Sequence, residues 1–200
     1  MPARSGRLPV TVASPMPRER APQREEALVG GQTRTTPWGE ARERLANPDK
    51  ERNSWLATVR PDGRPHLMPV IAFWFDDALH FVAGEGTQKG RNLAADGRCV
   101  IGIGSTRLPS LDIILEGRAG PLTDEAAVRG VAERMKSNGW PLEARGAEVH
   151  GPNAPTAGPP PYRIYRMVPS RVFGFPGTHG MDQFDPDELP KPTRWVFAGV

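Results

Sequence analysis

A mainly β fold with peripheral helices is what this sequence predicts, and three observations carry that reading. Short β-rich apolar runs recur along the chain, joined by tight turns that make neighbours antiparallel. Two of them bracket Pro61-Asp62-Gly63, a strong hairpin signal. The helices between runs are few and short, whereas a doubly wound sheet needs one after each strand. About six strands of this kind form a small barrel.

The elements follow in order. Residues 1–35 are rich in Pro, Arg and Ser and lack apolar periodicity, so they do not repay the entropy of ordering. They are expected to form a disordered tail, and residues 36–200 the folded body. Thr36 is placed to cap a first helix, with Pro37 in its first turn and Trp38, Ala41 and Leu45 on one face. Asn47-Pro48 ends it. Strands are expected at Ser54–Arg60, at Arg64–Phe75 and, after Asp76-Asp77, at Ala78–Ala83, as a three-strand meander. A short helix follows over Gln88–Ala95, then strands at Arg98–Ser105 and Leu111–Leu122. Thr123 is placed to cap an amphipathic helix carrying Val128, Val131, Ala132 and Met135, stopped at Asn138-Gly139. Residues 140–161 read as one long Gly/Pro loop, functional or mobile by its length. Tyr162–Phe175 is a long strand, and Arg194–Phe197 adds one more.

Charge and cysteine content narrow the function. The chain has 26 Lys+Arg against 23 Asp+Glu, a formal +3. The first 35 residues hold Arg4, Arg7, Arg18, Arg20, Arg24 and Arg34 against Glu19, Glu25 and Glu26, so the whole excess lies there and the body is near neutral. Nucleic-acid binding, which needs a basic face on the folded part, is not expected. Cys99 is the sole cysteine, lies in an apolar strand and reads as core; a reducing cytoplasm is the default setting. No apolar run spans a bilayer, and no membrane partner is expected. His80, His150 and His179 share no metal-ligand spacing, so no metal is expected. Walker, G-x-S-x-G and dinucleotide fingerprints are absent.

The chemistry concentrates in Phe81–Leu93, FVAGEGTQKGRNL. It reads as a strand that breaks at Gly84 and Gly86 and turns into a helix, with Thr87, Lys89 and Arg91 at the turn. A helix start offers unpaired N–H groups and the positive end of the peptide dipoles. A hydroxyl, an ammonium and a guanidinium at that point fit a phosphate. Lys89 and Arg91 also fit a solvated helix face, and Thr87 serves equally as a plain N-cap.

With this order of elements the chain resembles the pyridoxamine-phosphate-oxidase-like family of flavin and deazaflavin split barrels. The matching pieces are WLATVRPDGRPHLMPV, ALHFVAGEGTQKGRNLAADGRCVI, ILEGRA, PPPYRIYRMVPSRVFGF and PTRW, in order across about residues 38–197. The resemblance implies a split β-barrel of about six antiparallel strands. It implies a homodimer with two cofactor sites at the interface and a cofactor phosphate at Thr87, Lys89 and Arg91. The flavin or deazaflavin ring would lie near Met68, Pro69 and Val70, with Val82 on the neighbouring strand and Arg194-Trp195 at the cofactor edge of the dimer. Family members near this chain carry a basic residue at the position of Gln88. The vitamin B6 oxidases carry Arg-Leu-His near the C-terminus; this chain reads KPTRWVF there, so pyridoxamine phosphate is not the expected substrate.

The expected function is hydride transfer between FMN, or alternatively coenzyme F420, and a small organic molecule. A flavin, haem or tetrapyrrole carrier without turnover is the reading from another class. Arg64 either faces solvent or stabilises the anionic reduced cofactor, and His66 points to the ring or to water. Trp74, Trp140 and Tyr162 are core or walls for a planar ligand. Loop 140–161 would cover the substrate.

Overall fold

The structure is a computed structural model that describes residues 20–28, 34–48, 54–106, 109–177 and 191–198. Its strands are β1 (Arg24–Ala27), β2 (Ser54–Val59), β3 (Pro65–Val70), β4 (Ala72–Phe75), β5 (Ala78–Ala83), β6 (Arg98–Ile103), β7 (Ser110–Pro121), β8 (Glu143–Arg145), β9 (Glu148–His150), β10 (Arg163–Gly177) and β11 (Thr193–Val196). Helices α1 (Trp38–Ala46), α2 (Gln88–Ala95) and α3 (Glu125–Ser137) interrupt them. The main sheet runs β1-β11-β10-β7-β6-β2-β3, with β5 also on β10 and β4 on β5. Every strand pair is antiparallel.

The expected long strand Arg64–Phe75 is two strands. It turns at Ile71, so that β3 pairs with β2 while β4 pairs with β5. The meander is therefore not one three-strand sheet: the chain bends from one wall of the barrel to another, and no ladder joins β3 to β4. That gap makes this a split barrel. On the opposite side β10 is long enough to serve both walls. Its first half lies between β5 and β7, and past a register shift between Pro169 and Arg171 its second half lies between β7 and β11.

Two apolar cores result. Inside the barrel, Leu56, Leu79, Phe81, Ile101, Leu115, Met167 and Val172 pack with Trp38 and Leu45 of α1 and with Trp195. Strand β5 is buried on both faces, and its other side sends Val82 into a second core with Val128, Val131, Met135, Trp140 and Tyr162. Burial on two faces explains why ALHFVA shows no polar alternation.

Three expectations about local structure change. Thr36 does not cap α1: Pro37 stands at the N-cap without a side-chain bond, while the Thr36 amide donates to Thr193 Oγ1 at 2.8 Å. Asp124, not Thr123, caps α3, accepting from the Ala127 amide at 2.8 Å. Part of the expected tail is ordered. Arg24–Ala27 forms an edge strand on β11, with Glu26 on Arg194 and Glu25 accepting from the Trp195 indole at 3.2 Å. Its composition is that of a tail, but a sheet edge offers it a ladder and two side-chain ties. Residues 1–19 lie outside the described residues. Finally, loop 140–161 contains the hairpin β8–β9, which packs on α3.

Candidate functional site

The strand–helix turn forms as its residues demand. Thr87 stands at the N-cap of α2; its hydroxyl donates to Gly84 O at 2.7 Å and accepts from the Gly90 amide at 3.2 Å. A Cβ on Gly90 would lie 2.4 Å from Gly84 O, so only glycine lets the helix start this close to the strand end. Among the described residues, no acceptor outside the helix meets the backbone N–H groups of Gln88 and Lys89, and first-turn residues have none inside it. Two open donors and the dipole's positive end meet here.

Lys89 is 1% exposed. Its ammonium donates to Thr156 O and, at 3.1 Å, to Thr156 Oγ1. Among the described residues no carboxylate pairs with it, and burial pulls its pKa down to about 8. The Thr156 hydroxyl in turn donates to Pro69 O at 2.7 Å. Lys89, the loop and strand β3 are thus joined by one line of hydrogen bonds.

A second line runs behind it. Gln88 Nε2 donates to Asn92 Oδ1 at 2.7 Å, Asn92 Nδ2 to Thr58 Oγ1 at 2.9 Å, and Thr58 Oγ1 lies 3.4 Å from His66 Nδ1. His66 is half-buried; desolvation, then the charges of Arg60 and Lys89, lower its pKa. His66 therefore faces the α2 side.

Beside the turn opens a cleft of about 930 Å³, lined by Pro69, Val70 and Val82 together with Phe73, Trp140 and the Ala154–Ala157 segment. No described lining residue is ionisable. Trp140 serves both expected roles, standing 9% exposed in the second core while edging the cleft. Trp74 and Tyr162 are core.

The structure thus brings together Pro69, Val70, Val82, Thr87 and Lys89, with His66 behind them. Met68 is half-buried on β3, opposite Leu56, and does not line the cleft. Arg91 lies on the exposed side of α2, donating to Gly86 O at 2.5 Å and Gln88 Oε1 at 3.1 Å. Arg64 folds back on the hairpin turn, its Nε 2.9 Å from Asp62 Oδ2, and faces water. Within one chain Arg194 and Trp195 stand at the other end of β10. Arg194 pairs with Glu26, and Trp195 is fully buried against Trp38, their rings 5.6 Å apart. Its indole fills the barrel end because Gly174, two residues along β10 from its ladder partner Val172, leaves it room. Trp195 is a core residue.

Thr156, Asn92 and Thr58 went unnoticed in the sequence. Thr156 sits in a Pro/Gly loop with no periodicity to place it, while Asn92, fully buried on α2, was legible only as the Asn of K-x-R-N-L. Cys99 is buried and its thiol pushed up to about 12, so it is no nucleophile at neutral pH. Among the described residues no cluster of His, Cys, Asp and Glu could hold a metal, and no helix is long and apolar enough to cross a membrane.

Comparison with known proteins agrees with this architecture. The chain is similar to a putative pyridoxamine 5'-phosphate oxidase from Listeria innocua, with 15% identity over 68% of this chain and 96% of that one, at a TM-score of 0.50. General stress protein 26 from Bacillus anthracis aligns at 17% identity over 70% and 95% of the two chains, TM-score 0.49. A FAD-binding protein from Mesorhizobium loti aligns at 15% identity over 80% and 94%, TM-score 0.49. The Listeria likeness speaks to the fold alone. No curated protein matches the sequence. A family profile described as pyridoxamine 5'-phosphate oxidase matches residues 39–174, from α1 through the strand–helix turn to β10, and the chain belongs to that family.

Proposed function

We propose that this protein is an FMN-dependent oxidoreductase acting on a small organic molecule. The observation that carries the reading is the Lys89 ammonium. It is buried, has no carboxylate partner among the described residues, and stands at a helix start with open amides beside a large cleft. An uncompensated buried charge costs several kcal/mol or more, and a protein keeps one where an anion is to come. The residues fit a flavin phosphate in kind: the open Gln88 and Lys89 amides, the Thr87 hydroxyl and the Lys89 ammonium belong to one helix start, and Pro69, Val70 and Val82 supply an apolar wall of the cleft for a ring. Bound FMN supplies hydride exchange.

The chain's own residues bind and exclude water; no side chain in the described lining can hold a proton for the substrate. That suits direct hydride transfer. It equally favours a second reading, a carrier that holds its cofactor without turnover. F420 continues beyond its phosphate into an acidic tail. At α2 Gln88 is engaged with Asn92 and Arg91 rather than adding a cation, which supports FMN over F420. A homodimer with sites at the interface completes the proposal.

The purified protein should show a flavin absorbance spectrum or quench added FMN fluorescence. Lys89→Ala should weaken FMN about tenfold or more, at 1.4 kcal/mol per decade. Unchanged affinity removes Lys89 from the site, and no FMN binding removes the assignment. A bound flavin that is reduced but never reoxidised by any acceptor tried favours the carrier.

A further inference from the structure

The anchor of the proposed phosphate site is out of reach in this structure. Lys89 is 1% exposed, and both acceptors of its ammonium belong to Thr156. Thr156 is tied on its other side to Pro69 O at 2.7 Å. One residue further, Ala157 O accepts the Gly84 amide at 3.0 Å. A Cβ on Gly84 would lie 2.6 Å from that carbonyl, so glycine is what lets the loop lie flat on the turn. The same four residues, Ala154–Ala157, form one wall of the cleft.

These contacts imitate a ligand. A carbonyl and a hydroxyl oxygen sit where an anion's oxygens would meet the ammonium. They are neutral acceptors, and hydrogen bonds between ionised partners are about twice as strong. A phosphate arriving at the open amides of α2 would outbid Thr156 for Lys89, but only if the loop moves.

We propose that the Ala154–Ala157 segment is an internal stand-in for ligand phosphate: Thr156 holds the Lys89 ammonium in the ligand-free chain and releases it to an incoming phosphate, so that filling the turn shifts one wall of the cleft. This rests on reading the turn as a phosphate site. Cofactor loading and substrate access thereby become one event. A hydroxyl that merely braced Lys89 for the ligand would give the opposite sign in the variants below.

Amide hydrogen exchange of the full chain, alone and with FMN or inorganic phosphate, tests it. On loading, the amides of Gly84 and Ala157, both hydrogen-bonded in this structure, should exchange several-fold faster. Thr156→Val removes both hydroxyl ties; it should show the fast exchange without ligand and bind FMN about two- to tenfold more tightly. Thr156→Ser, which keeps the hydroxyl, should behave as the parent. Slower or unchanged exchange on loading, or weaker binding by Thr156→Val, overturns the proposal. Lys89→Met separates the two failures. Where binding depends on Lys89 while the loop stays protected, the stand-in alone is wrong. Where FMN binds equally well to Lys89→Met, or neither ligand binds at all, the phosphate site falls and the stand-in with it.

Discussion

In the proposed site Lys89 sets a stability cost against a binding gain, and pH should separate the two. In the unfolded chain a lysine titrates near 10.5, whereas burial brings Lys89 down to about 8. Between those values the unfolded chain holds a proton that the ligand-free fold has shed, so stability should rise as pH goes from about 8 to 10.5. Phosphate binding at the proposed site should run the other way, because a dianion would hold the ammonium charged. FMN affinity should be full below about pH 8 and decline above it, as read by fluorescence titration across pH. Lys89→Met removes the buried charge while keeping the shape. Its ligand-free melting temperature should be equal or higher, and its stability should lack the alkaline rise; a drop of several degrees would make Lys89 a structural tie. His80 supplies the acid counterpart. It is buried, its Nδ1 has no partner among the described residues, and its pKa is depressed to about 4. Its unfolded value near 6.5 means stability is whole above that pH and is lost as pH falls toward 4, by up to about 3 kcal/mol. A urea titration at pH 7 and at pH 4.5 reads the difference, and His80→Phe should flatten it. At this scale the sequence was partly legible. Thr87 and Lys89 carry their chemistry in their own residue types, and glycines announced the turn. Thr156, Asn92 and Thr58 act through long-range contacts, which local pattern does not encode.

The elements were easier to read wherever one face is buried and the other wet. Helix α3 shows the helical spacing of Val128, Val131, Ala132 and Met135, and those four are its buried residues. Strand β7 alternates in the same legible way. Legibility failed where tertiary context decides. The bend at Ile71 leaves Leu67–Phe75 apolar throughout, because both halves are strand, and nothing local marks the change of partner. Hairpin β8–β9 has three residues a side and takes its place from packing on α3. Strand β1 is the sharpest case. Arg24-Glu25-Glu26-Ala27 has low strand propensity, yet it pairs over four residues with β11, and Glu25 satisfies the indole of the fully buried Trp195. Removing residues 1–28 should therefore destabilise the barrel rather than trim a passive tail. The indole N–H would lose its acceptor, at about 1–3 kcal/mol for a buried unsatisfied donor. For a domain of this size that is a fall of several degrees in melting temperature, measured by calorimetry.

The whole molecule is a barrel left open between β3 and β4, and its outer wall is not finished as a solvent-facing surface. The register sets Trp55, Ala57 and Val59 of β2 beside Leu67 and Pro69 of β3 and Val100 and Gly102 of β6, all on one outward face. Trp55 is 44% exposed and Leu67 57%, with Val59 close behind. Isolated exposed apolar residues are ordinary, but a contiguous patch led by a tryptophan is the mark of an interface. The cleft adjoins that face, since Pro69 belongs to both, Val70 lines the cleft, and Ile71 is both exposed and part of its wall. A second copy docked on β2–β3 would bury the patch and border each cleft at once, which is how one surface could serve the proposed dimer and the proposed site together. A stable pair needs about 1,000 Å² or more of buried surface, and a hairpin of this length can supply such an area only with help from β6. The double change Trp55→Glu and Leu67→Glu places two like charges at the middle of that face while leaving the barrel core, which lies behind it, intact. Sedimentation should show a dimer for the parent chain and a monomer for the variant, with FMN affinity falling alongside. A monomeric parent would sink the interface. A dimeric variant would move it to another wall, and a monomeric variant that still binds FMN at full strength would show that each cleft is complete within one chain.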